Sequence, residues 1–355
     1  MNEFFKHNDT KSARQAQYEA QKIAFAPIIF QVARSMRDLG ILEVLNNNDE
    51  NGLSLEQIAK KVNLSIYGVK TLIETSLSAD IVKQKENKYF ITKTGYFLLK
   101  DEMTKVNMNY NHYVNYKGLY DLDKAIVNEK AEGLKEFGTC DTIYPLLSTL
   151  PKKAKQSWFE FDHYYSDTAL DEAIDILLGN KPKKILDIGG NTGKFSIRLA
   201  NKSNDIKVTI ADLKEQIALA TANIKKNNLE SRVDFYPTNM LDENLSIPSG
   251  YDVIWMSQFL DCFKEEDIIN ILSRVKNAKD KDAKIYIMEP LWDKQAVEAG
   301  AYFIINTSPY FTAMANGYSK MFNSWDMLEY IKKAGLQLEE EIDNVGICQS
   351  ILICK

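Results

Sequence analysis

Apolar residues follow two different spacings along this 355-residue chain. Between Gln15 and Leu45 they recur every three or four positions, which predicts helix, with Pro27 as a kink or break and Gly40 as a stop. From about Lys181 onward, short apolar runs alternate with amphipathic segments. These runs predict strands at 183–188, 206–211, 232–236, 251–257 and 283–289, with helices between them. Such alternation is typical of a doubly wound parallel sheet.

Three shorter elements lie between these two regions. Ser54 and Gln57 form the pattern of a capping box. The spacing predicts a helix over 54–61, a helix over 65–78 and a hairpin over 81–92 that turns at Glu86 and Asn87. Two helices followed by a hairpin are the pattern of a winged helix-turn-helix.

The segment from Gly335 to Lys355 predicts two strands joined by a turn at Asp343 to Gly346, which would add an antiparallel edge to the sheet. The expected fold class is therefore α/β. It consists of a Rossmann-like, doubly wound, mostly parallel sheet with an antiparallel C-terminal edge, preceded by a mainly helical winged-helix domain.

Composition narrows the class of protein. A net charge of −5 gives the chain as a whole no attraction to nucleic acid. Four cysteines without a CxxC pair argue against structural zinc and a disulfide framework, so no metal is expected. The chain lacks both a membrane-length apolar stretch and the apolar core of a signal peptide. We expect a cytoplasmic protein without membrane or nucleic-acid partners, with His7 in a disordered N-terminal tail.

The most informative segment joins a predicted strand to a predicted helix through three glycines. Asp187 lies near the end of the strand, and Gly189, Gly190 and Gly193 form the turn. Glycines allow a ligand to approach the backbone closely. A carboxylate at Asp187 would repel the pyrophosphate of a dinucleotide but suits a cation. S-adenosylmethionine carries an ammonium and a sulfonium, so it fits this turn better than a nicotinamide or flavin dinucleotide.

A second acid supports this interpretation. Asp212 follows the next predicted strand, 25 residues after Asp187, near the spacing at which an acid meets ribose hydroxyls. The alternative is that Asp212 only caps the following helix, because aspartate is a good N-cap.

The winged unit raises the possibility of DNA binding. Its candidate recognition helix, 65–78, carries one lysine, Lys70, against one glutamate, Glu74, whereas phosphate binding requires a clear basic face. A packing and dimerisation role is the preferred interpretation. Beyond it, four tyrosines recur at helical spacing, which predicts one helix face that belongs to a core, an interface or a ligand pocket. They are Tyr110, Tyr113, Tyr116 and Tyr120.

With these motifs the chain resembles the S-adenosylmethionine-dependent small-molecule O-methyltransferases of the caffeic-acid and hydroxyindole type. The resemblance covers nearly the whole length. It implies a winged-helix dimerisation domain with a helical substrate-side segment over 1–150 and a class I methyltransferase domain over 151–355. It also implies a homodimer.

The resemblance assigns cofactor-binding roles residue by residue. LDIGGNTG looks like the family's first glycine motif, ADL at 211–213 is similar to its ribose-binding Asp-Leu-Pro, and NMLD at 239–242 resembles Gly-Asp-Met-Phe. Asn239 stands where the family has an adenine-facing aspartate, and its amide oxygen can still accept from the adenine amino group. The implied cofactor residues are Asp187, Gly189, Gly190, Asn191, Gly193, Asp212, Leu213, Asn239, Met240 and Ser257.

The catalytic motif departs from the family. An ungapped alignment sets the family's Leu-His-Asp-Trp on Leu260-Asp261-Cys262-Phe263, so Asp261 replaces the histidine base. Three interpretations remain open. Asp261 is a base of raised pKa or an orienting acceptor for the substrate hydroxyl; or it binds a cationic or polar acceptor group while His163 is the base; or it caps the following helix.

The sequence specifies the residues that bind the methyl acceptor less well than those that bind the cofactor. Glu289 resembles the family's strand-end glutamate, and strand carboxyl ends point into the ligand crevice of open sheets. The aromatic segment 301–322 is expected to pack over the acceptor pocket. Candidate substrate residues are Tyr113, Tyr302, Phe303, Tyr310, Met314 and Glu289.

The predicted function is methyl transfer from S-adenosylmethionine to a small, hydroxylated aromatic acceptor. Displacement at a sulfonium needs positioning more than acid–base help, so the missing histidine does not exclude it. Two alternatives remain. One is a cofactor-binding relative that performs decarboxylation or hydroxylation, and the other is a winged-helix DNA-binding regulator that senses the cofactor.

Overall fold

The computed structural model describes residues 4–6 and 8–355, so the expectation for His7 lies outside the described residues. Two compact units divide the chain. One comprises residues 6–113, and the other comprises residues 114–355 together with Phe4 and Phe5. The predicted boundary between 150 and 151 stays a prediction. None of the helices in the described part has both the length and the apolar character needed to cross a bilayer.

The unit of residues 6–113 is mainly helical, with one hairpin. Its helices are α1 Ala13–Asp38, α2 Ile41–Asn46, α3 Leu55–Val62, α4 Ile66–Ser78, α5 Lys93–Lys100 and α6 Glu102–Tyr110. Its strands are β1 Val82–Lys85 and β2 Lys88–Ile91, which pair antiparallel.

Local signals fix most of these boundaries. The predicted capping box is present at α3, where the Ser54 amide donates to Gln57 Oε1 at 2.9 Å and Ser54 Oγ accepts from the Gln57 amide at 3.3 Å. Gly40 takes a left-handed φ of 79° just after α1, as the predicted stop requires. Of the predicted kink or break at Pro27, the break is wrong, because α1 continues through this residue. The kink stays a prediction.

The expected tyrosine face does not exist as one helix face. Helix α6 ends at Tyr110, and residues 111–115 form a π-helical turn, which rotates later side chains away from the α-helical register. Tyr110 is buried, whereas Tyr120 is 88% exposed.

The unit of residues 114–355 contains the sheet. Its helices are α7 Leu122–Asn128, α8 Lys152–Leu178, α9 Lys194–Lys202, α10 Lys214–Lys226, α11 Glu265–Ala278, α12 Glu298–Tyr310 and α13 Ser324–Lys333. Its strands are β3 Lys184–Ile188, β4 Lys207–Asp212, β5 Val233–Pro237, β6 Val253–Ser257, β7 Lys284–Glu289, β8 Leu338–Val345 and β9 Gln349–Cys354.

The seven strands lie in the order β5-β4-β3-β6-β7-β9-β8. The first five are parallel, and β9 pairs antiparallel with both β7 and β8, which confirms the predicted class and its antiparallel edge. The last turn comes later than expected, because β8 continues to Val345, which pairs with Gln349.

Alternating strand residues supply two apolar layers, one on each face of the sheet. Helices α8, α9 and α10 cover one face, where Phe195 stacks on Trp255 with ring centroids 4.6 Å apart. Helices α11 and α13 cover the other. Because β3, β4, β6 and β7 run parallel, their carboxyl ends meet at one edge of the sheet, where ligands bind in open α/β sheets.

Candidate active site

The glycine turn after β3 has the backbone geometry that its sequence predicts. Gly189 has a φ of 75°, and its amide donates to the Ala211 carbonyl at 2.9 Å. A Cβ at Gly190 would lie 2.8 Å from Asp187 Oδ2, so a side chain there would fill the space beside the carboxylate. Gly193 has a φ of 77° and precedes the first residue of α9. The turn therefore leaves open backbone next to a buried acid.

Asp187 lies near the end of β3, just before this turn, with 2% of its surface exposed. Burial raises the pKa of its carboxyl to about 7, against the opposing effect of a hydrogen bond from Ser196, while the charge of Asp212 raises it further. A cation beside such a buried carboxyl stabilises its ionised form. The Asp187 carboxylate therefore fits the positively charged methionine portion of S-adenosylmethionine.

Asp212 ties the glycine turn to the end of β4. Its Oδ2 accepts from the Asn191 amide at 2.8 Å, and its Oδ1 accepts from the Leu213 amide at 2.7 Å. Burial raises the pKa of this carboxyl. The capping alternative is wrong, because α10 begins at Lys214 with Leu213 in the cap position. Each carboxylate oxygen keeps lone-pair capacity for a ribose hydroxyl.

The remaining candidate cofactor residues follow the neighbouring strands. After β5, Asn239 is exposed and its Oδ1 accepts from the Leu241 amide at 3.0 Å, so this oxygen already has one donor. Met240 is buried, and its carbonyl accepts from Arg274 at 2.7 Å. Ser257 ends β6. These residues could hold an adenosine group at the same edge of the sheet as Asp187 and Asp212.

Asp261 lies in a short 3-10 turn, Leu260–Cys262, between β6 and α11. It is 6% exposed, and burial raises the pKa of its carboxyl to about 6, although a hydrogen bond from Cys262 at 3.5 Å opposes this. The interpretation of Asp261 as a helix cap is wrong, because the cap position of α11 is Lys264. Asp261 is therefore buried at the carboxyl edge of the sheet, and the pKa of its carboxyl lies close to neutrality.

Glu289, at the end of β7, holds the loop that carries Asp261. Its Oε1 accepts from the Phe259 amide at 3.0 Å and from the Leu260 amide at 2.8 Å. Its Oε2 is buried, and the backbone amide of Asp261 also lowers the pKa of this carboxyl as a hydrogen-bond donor. Burial, and then the charge of Asp261, raise the pKa of Glu289 well above its usual value.

Sequence reasoning missed two residues beside this loop. Asp162 lies on α8, where burial, followed by the charges of Asp261 and Asp167, raises the pKa of its carboxyl to about 7. Tyr144 lies beside Cys262, and burial and the Cys262 thiol raise the pKa of its hydroxyl. The spacing of Trp158, Asp162 and Tyr165 on one face of α8 was an available signal for Asp162.

His163 lies next to Asp162 but is directed differently. Its ring lies 5.8 Å from the Phe159 ring, and the charges that act on it are those of Lys194 and Asp167. Burial, with Lys194, lowers its pKa, so the ring is neutral near pH 7. A neutral imidazole can accept a proton, and the base role of His163 stays a prediction.

The aromatic candidates are placed unequally. Trp158 Nε1 donates to Tyr310 Oη at 2.7 Å, and the charge of Tyr310 raises the pKa of Tyr144. Phe303 stacks on Tyr165 at 4.5 Å, whereas Tyr302 is 61% exposed.

Two more candidates lie elsewhere. Met314 is fully buried against Gly118, at which a Cβ would come within 1.8 Å of its sulfur. Tyr113 belongs to the unit of residues 6–113, where Arg34 donates to its hydroxyl at 2.7 Å.

Comparison with known proteins is consistent with this geometry. A family model described as the O-methyltransferase domain matches residues 149–337, and one described as a Dimerisation2-like domain matches residues 17–89. L-tyrosine C(3)-methyltransferase of Streptomyces lavendulae is 24% identical over 332 residues, which cover 91% of this chain and 88% of that protein. O-methyltransferase 7 of Dictyostelium discoideum is 20% identical over 322 residues, which cover 89% and 90%.

Solved structures share the fold. The apo form of the S-adenosylmethionine-dependent methyltransferase SibL superposes with a TM-score of 0.72 at 17% identity and covers 95% of this chain and 98% of its own. PigF with SAH gives a TM-score of 0.66 at 15% identity, with coverage of 97% and 99%. Because the O-methyltransferase model spans more than half of the chain, the chain belongs to the O-methyltransferase family and is an S-adenosylmethionine-dependent methyltransferase.

Proposed function

We propose that the acceptor is a small, hydroxylated aromatic molecule that binds beside the Asp261 loop. The observation that carries this proposal is a buried carboxyl next to aromatic rings: Asp261 lies near Tyr144, which lies near Tyr310. Rings supply flat apolar contact, and a carboxylate accepts from a hydroxyl. A relative whose name specifies L-tyrosine, and a naphthoate 3-O-methyltransferase of Streptomyces sahachiroi that is 28% identical over 111 residues, support an aromatic acceptor.

Asp187 and Asp212 are proposed to hold the cofactor from opposite sides of the glycine turn. Asp187 neutralises the positively charged methionine portion, and Asp212 accepts from ribose hydroxyls while its backbone contacts keep the turn closed. Asn239 and Met240 contact the adenine. When bound, S-adenosylmethionine supplies a methyl group on a sulfonium sulfur.

Asp261 is proposed to take or orient the proton of the acceptor hydroxyl. With a pKa of about 6, its carboxyl is ionised in roughly nine of ten molecules at pH 7. Glu289 binds a proton more tightly, since it is buried beside the Asp261 charge, so it keeps Asp261 the ionised member of the pair. Its bonds to the Phe259 and Leu260 amides fix the loop. Positioning then supplies most of the rate.

The unit of residues 6–113 is proposed to be a winged-helix dimerisation module, and the protein a cytoplasmic homodimer without nucleic-acid or membrane partners. Support comes from the matched Dimerisation2-like model and from apolar side chains on α1, such as Ile23, which is 77% exposed. On α4, Lys70 pairs with Glu74 at 3.7 Å, which leaves little basic surface for DNA. Light scattering should give twice the chain mass, and duplex DNA at low salt should not shift in a gel.

The acceptor proposal is tested by incubating the enzyme with methyl-labelled S-adenosylmethionine and extract of the native cell. We expect a labelled aromatic product and S-adenosylhomocysteine in equal amounts. Label on an aliphatic product would overturn the proposed acceptor. Product without S-adenosylhomocysteine would favour a decarboxylating or hydroxylating relative, an alternative that the aspartate at position 261 keeps relevant.

A further inference from the structure

A buried asparagine binds the Asp261 loop just after its carboxyl-bearing residue. Asn316 is 3% exposed, and its Nδ2 donates to the Cys262 carbonyl at 3.0 Å. Glu289 binds the same loop just before Asp261, through two backbone amides. Asp261 therefore lies between two hydrogen-bonded anchors, one on each side along the chain.

The side-chain amide of Asn316 is fully used by contacts within the protein. Its Nδ2 donates to Ser319 Oγ at 2.8 Å as well as to the Cys262 carbonyl. Its Oδ1 accepts from the backbone amides of Tyr318 and Ser319, both at 3.1 Å. An asparagine amide has two N–H donors and two acceptor lone pairs, so these contacts fix both its place and its orientation. Asn316 can therefore act on the reaction through the Asp261 loop rather than by binding a ligand.

The backbone around Asn316 is itself held in place. Asn316 directly follows a second π-helical turn, which comes after α12 in the aromatic segment 301–322. Ala315, the residue before it, accepts from the Ile143 amide at 2.8 Å. The Asp261 loop is thus bonded to a fixed part of the segment that is expected to cover the acceptor.

We propose that Asn316 is a positioning residue for methyl transfer, which acts through the Cys262 carbonyl to keep Asp261 aligned with the acceptor. This inference rests on the proposed function, because Asn316 has this part only if Asp261 takes or orients the acceptor proton. Cys262 Sγ donates to Asp261 Oδ1 at 3.5 Å, so holding Cys262 also restricts the carboxylate. A loop anchored at one end alone can move, and a misplacement of about 1 Å at a reacting group costs about 100-fold in rate.

A double-mutant cycle separates positioning from a general structural role. The rate measured is release of S-adenosylhomocysteine at saturating S-adenosylmethionine, with extract of the native cell as the source of acceptor. Asn316→Ala should lower this rate about 10- to 100-fold, with the KM for S-adenosylmethionine unchanged. In the Asp261→Asn background the same change should lower the rate less than about twofold, because the carboxylate that it positions is already gone. Equal losses in the two backgrounds would overturn the inference.

Cysteine alkylation measures the hold on the loop without any turnover. The enzyme is treated with iodoacetamide, and modification of Cys262 and of Cys348 is followed by peptide mass spectrometry. Asn316→Ala should raise the rate at Cys262 about fivefold, as expected when one hydrogen bond no longer opposes local opening. The rate at Cys348, which is 2% exposed just before β9, should not change. An unchanged rate at Cys262, or equal increases at both cysteines, would contradict the inference.

Asn306→Ala is the matched control. The Nδ2 of Asn306 also donates to a backbone carbonyl, that of Tyr302 at 2.7 Å, but within its own helix α12. This variant should keep the wild-type rate and the wild-type labelling of Cys262. The proposed function is scored separately by Asp261→Asn alone: a wild-type rate in that variant would remove Asp261 from turnover. A loss in Asp261→Asn that is absent from Asn316→Ala would overturn only the inference about Asn316.

Discussion

The Ser196 hydroxyl donates a hydrogen bond of 2.6 Å to Asp187 Oδ2, from the first turn of α9 back to the strand before it. This bond opposes the effect of burial on the pKa of Asp187 and so favours the charged form that a cationic ligand needs. Both residues are buried, at 0% and 2% exposure. The hydrogen bond is therefore part of how the glycine turn is prepared for its ligand.

Removing Asp187 should weaken cofactor binding more than removing the Ser196 hydroxyl. Asp187→Asn removes the charge and should weaken S-adenosylmethionine binding about 10- to 100-fold, while Ser196→Ala should cost only about 1 kcal/mol. Calorimetry on the purified variants measures both. Asp205→Asn, which alters a side chain that is 78% exposed, serves as control and should bind normally. Normal affinity in Asp187→Asn would contradict the proposed role of Asp187.

A methyl group at Gly190 should abolish cofactor binding. In Gly190→Ala the new Cβ would lie 2.8 Å from Asp187 Oδ2 and 2.9 Å from Ile210 Cγ2, and neither neighbour can move freely in a packed strand. Binding of S-adenosylhomocysteine and thermal unfolding would be measured together. Gly68→Ala is the control, because its Cβ meets only the Ser65 hydroxyl, at 3.2 Å. Full affinity in Gly190→Ala would show that the turn is looser than described.

Turnover should depend on the ionisation of Asp261. A base must be deprotonated, so kcat should fall as pH decreases through about 6, the pKa of the carboxyl. Asp261→Asn should lower kcat about 10²- to 10⁴-fold and remove that limb of the profile. Glu266→Gln, an exposed change in the first turn of α11, should leave the profile intact. If Asp261→Asn keeps the wild-type limb, the titrating group lies elsewhere, and His163 becomes the first residue to test.

The ligand-free protein should lose stability as pH rises toward 8, in part through Asp187. Its folded pKa of about 7 lies above the usual aspartate value near 4, so the folded state holds the proton more tightly across this range. Between these values each rise in pH lowers the free energy of unfolding, by up to about 4 kcal/mol in total.

Asp187→Asn does not titrate, so its stability relative to wild type should increase from pH 5 to pH 8. Urea unfolding at intervals of one pH unit measures the difference. The corresponding difference for Asp205→Asn should stay constant. A constant difference for Asp187→Asn as well would mean that its carboxyl is not buried in the folded protein.

Local patterns in the sequence were sufficient to predict the sheet and the glycine turn. The predicted strands agree with β3 to β7 within two residues, because parallel buried strands are continuous apolar runs bounded by polar residues. The capping box at Ser54 and the hairpin turn at Glu86, with a φ of 55°, are equally local.

The missed features depend on distant parts of the chain. Asp162 and Tyr144 precede β3, and only tertiary packing of α8 and of the 144–146 turn brings them to Asp261. The π-helical turn at 111–115 left no periodic signal, so the tyrosine spacing resembled one helix face. The hydrogen bonds of Glu289 could not be predicted either, because they join residues 30 and 29 positions apart.

Glu289 holds the Asp261 loop through backbone amides alone, and this has a consequence for how such an enzyme can change. The contact does not depend on which side chain stands at position 261. A histidine, an aspartate or another residue can therefore occupy that position while the loop keeps its shape. Acceptor chemistry can thus diverge by single substitutions at a preserved location, without loss of the scaffold that binds the methyl donor.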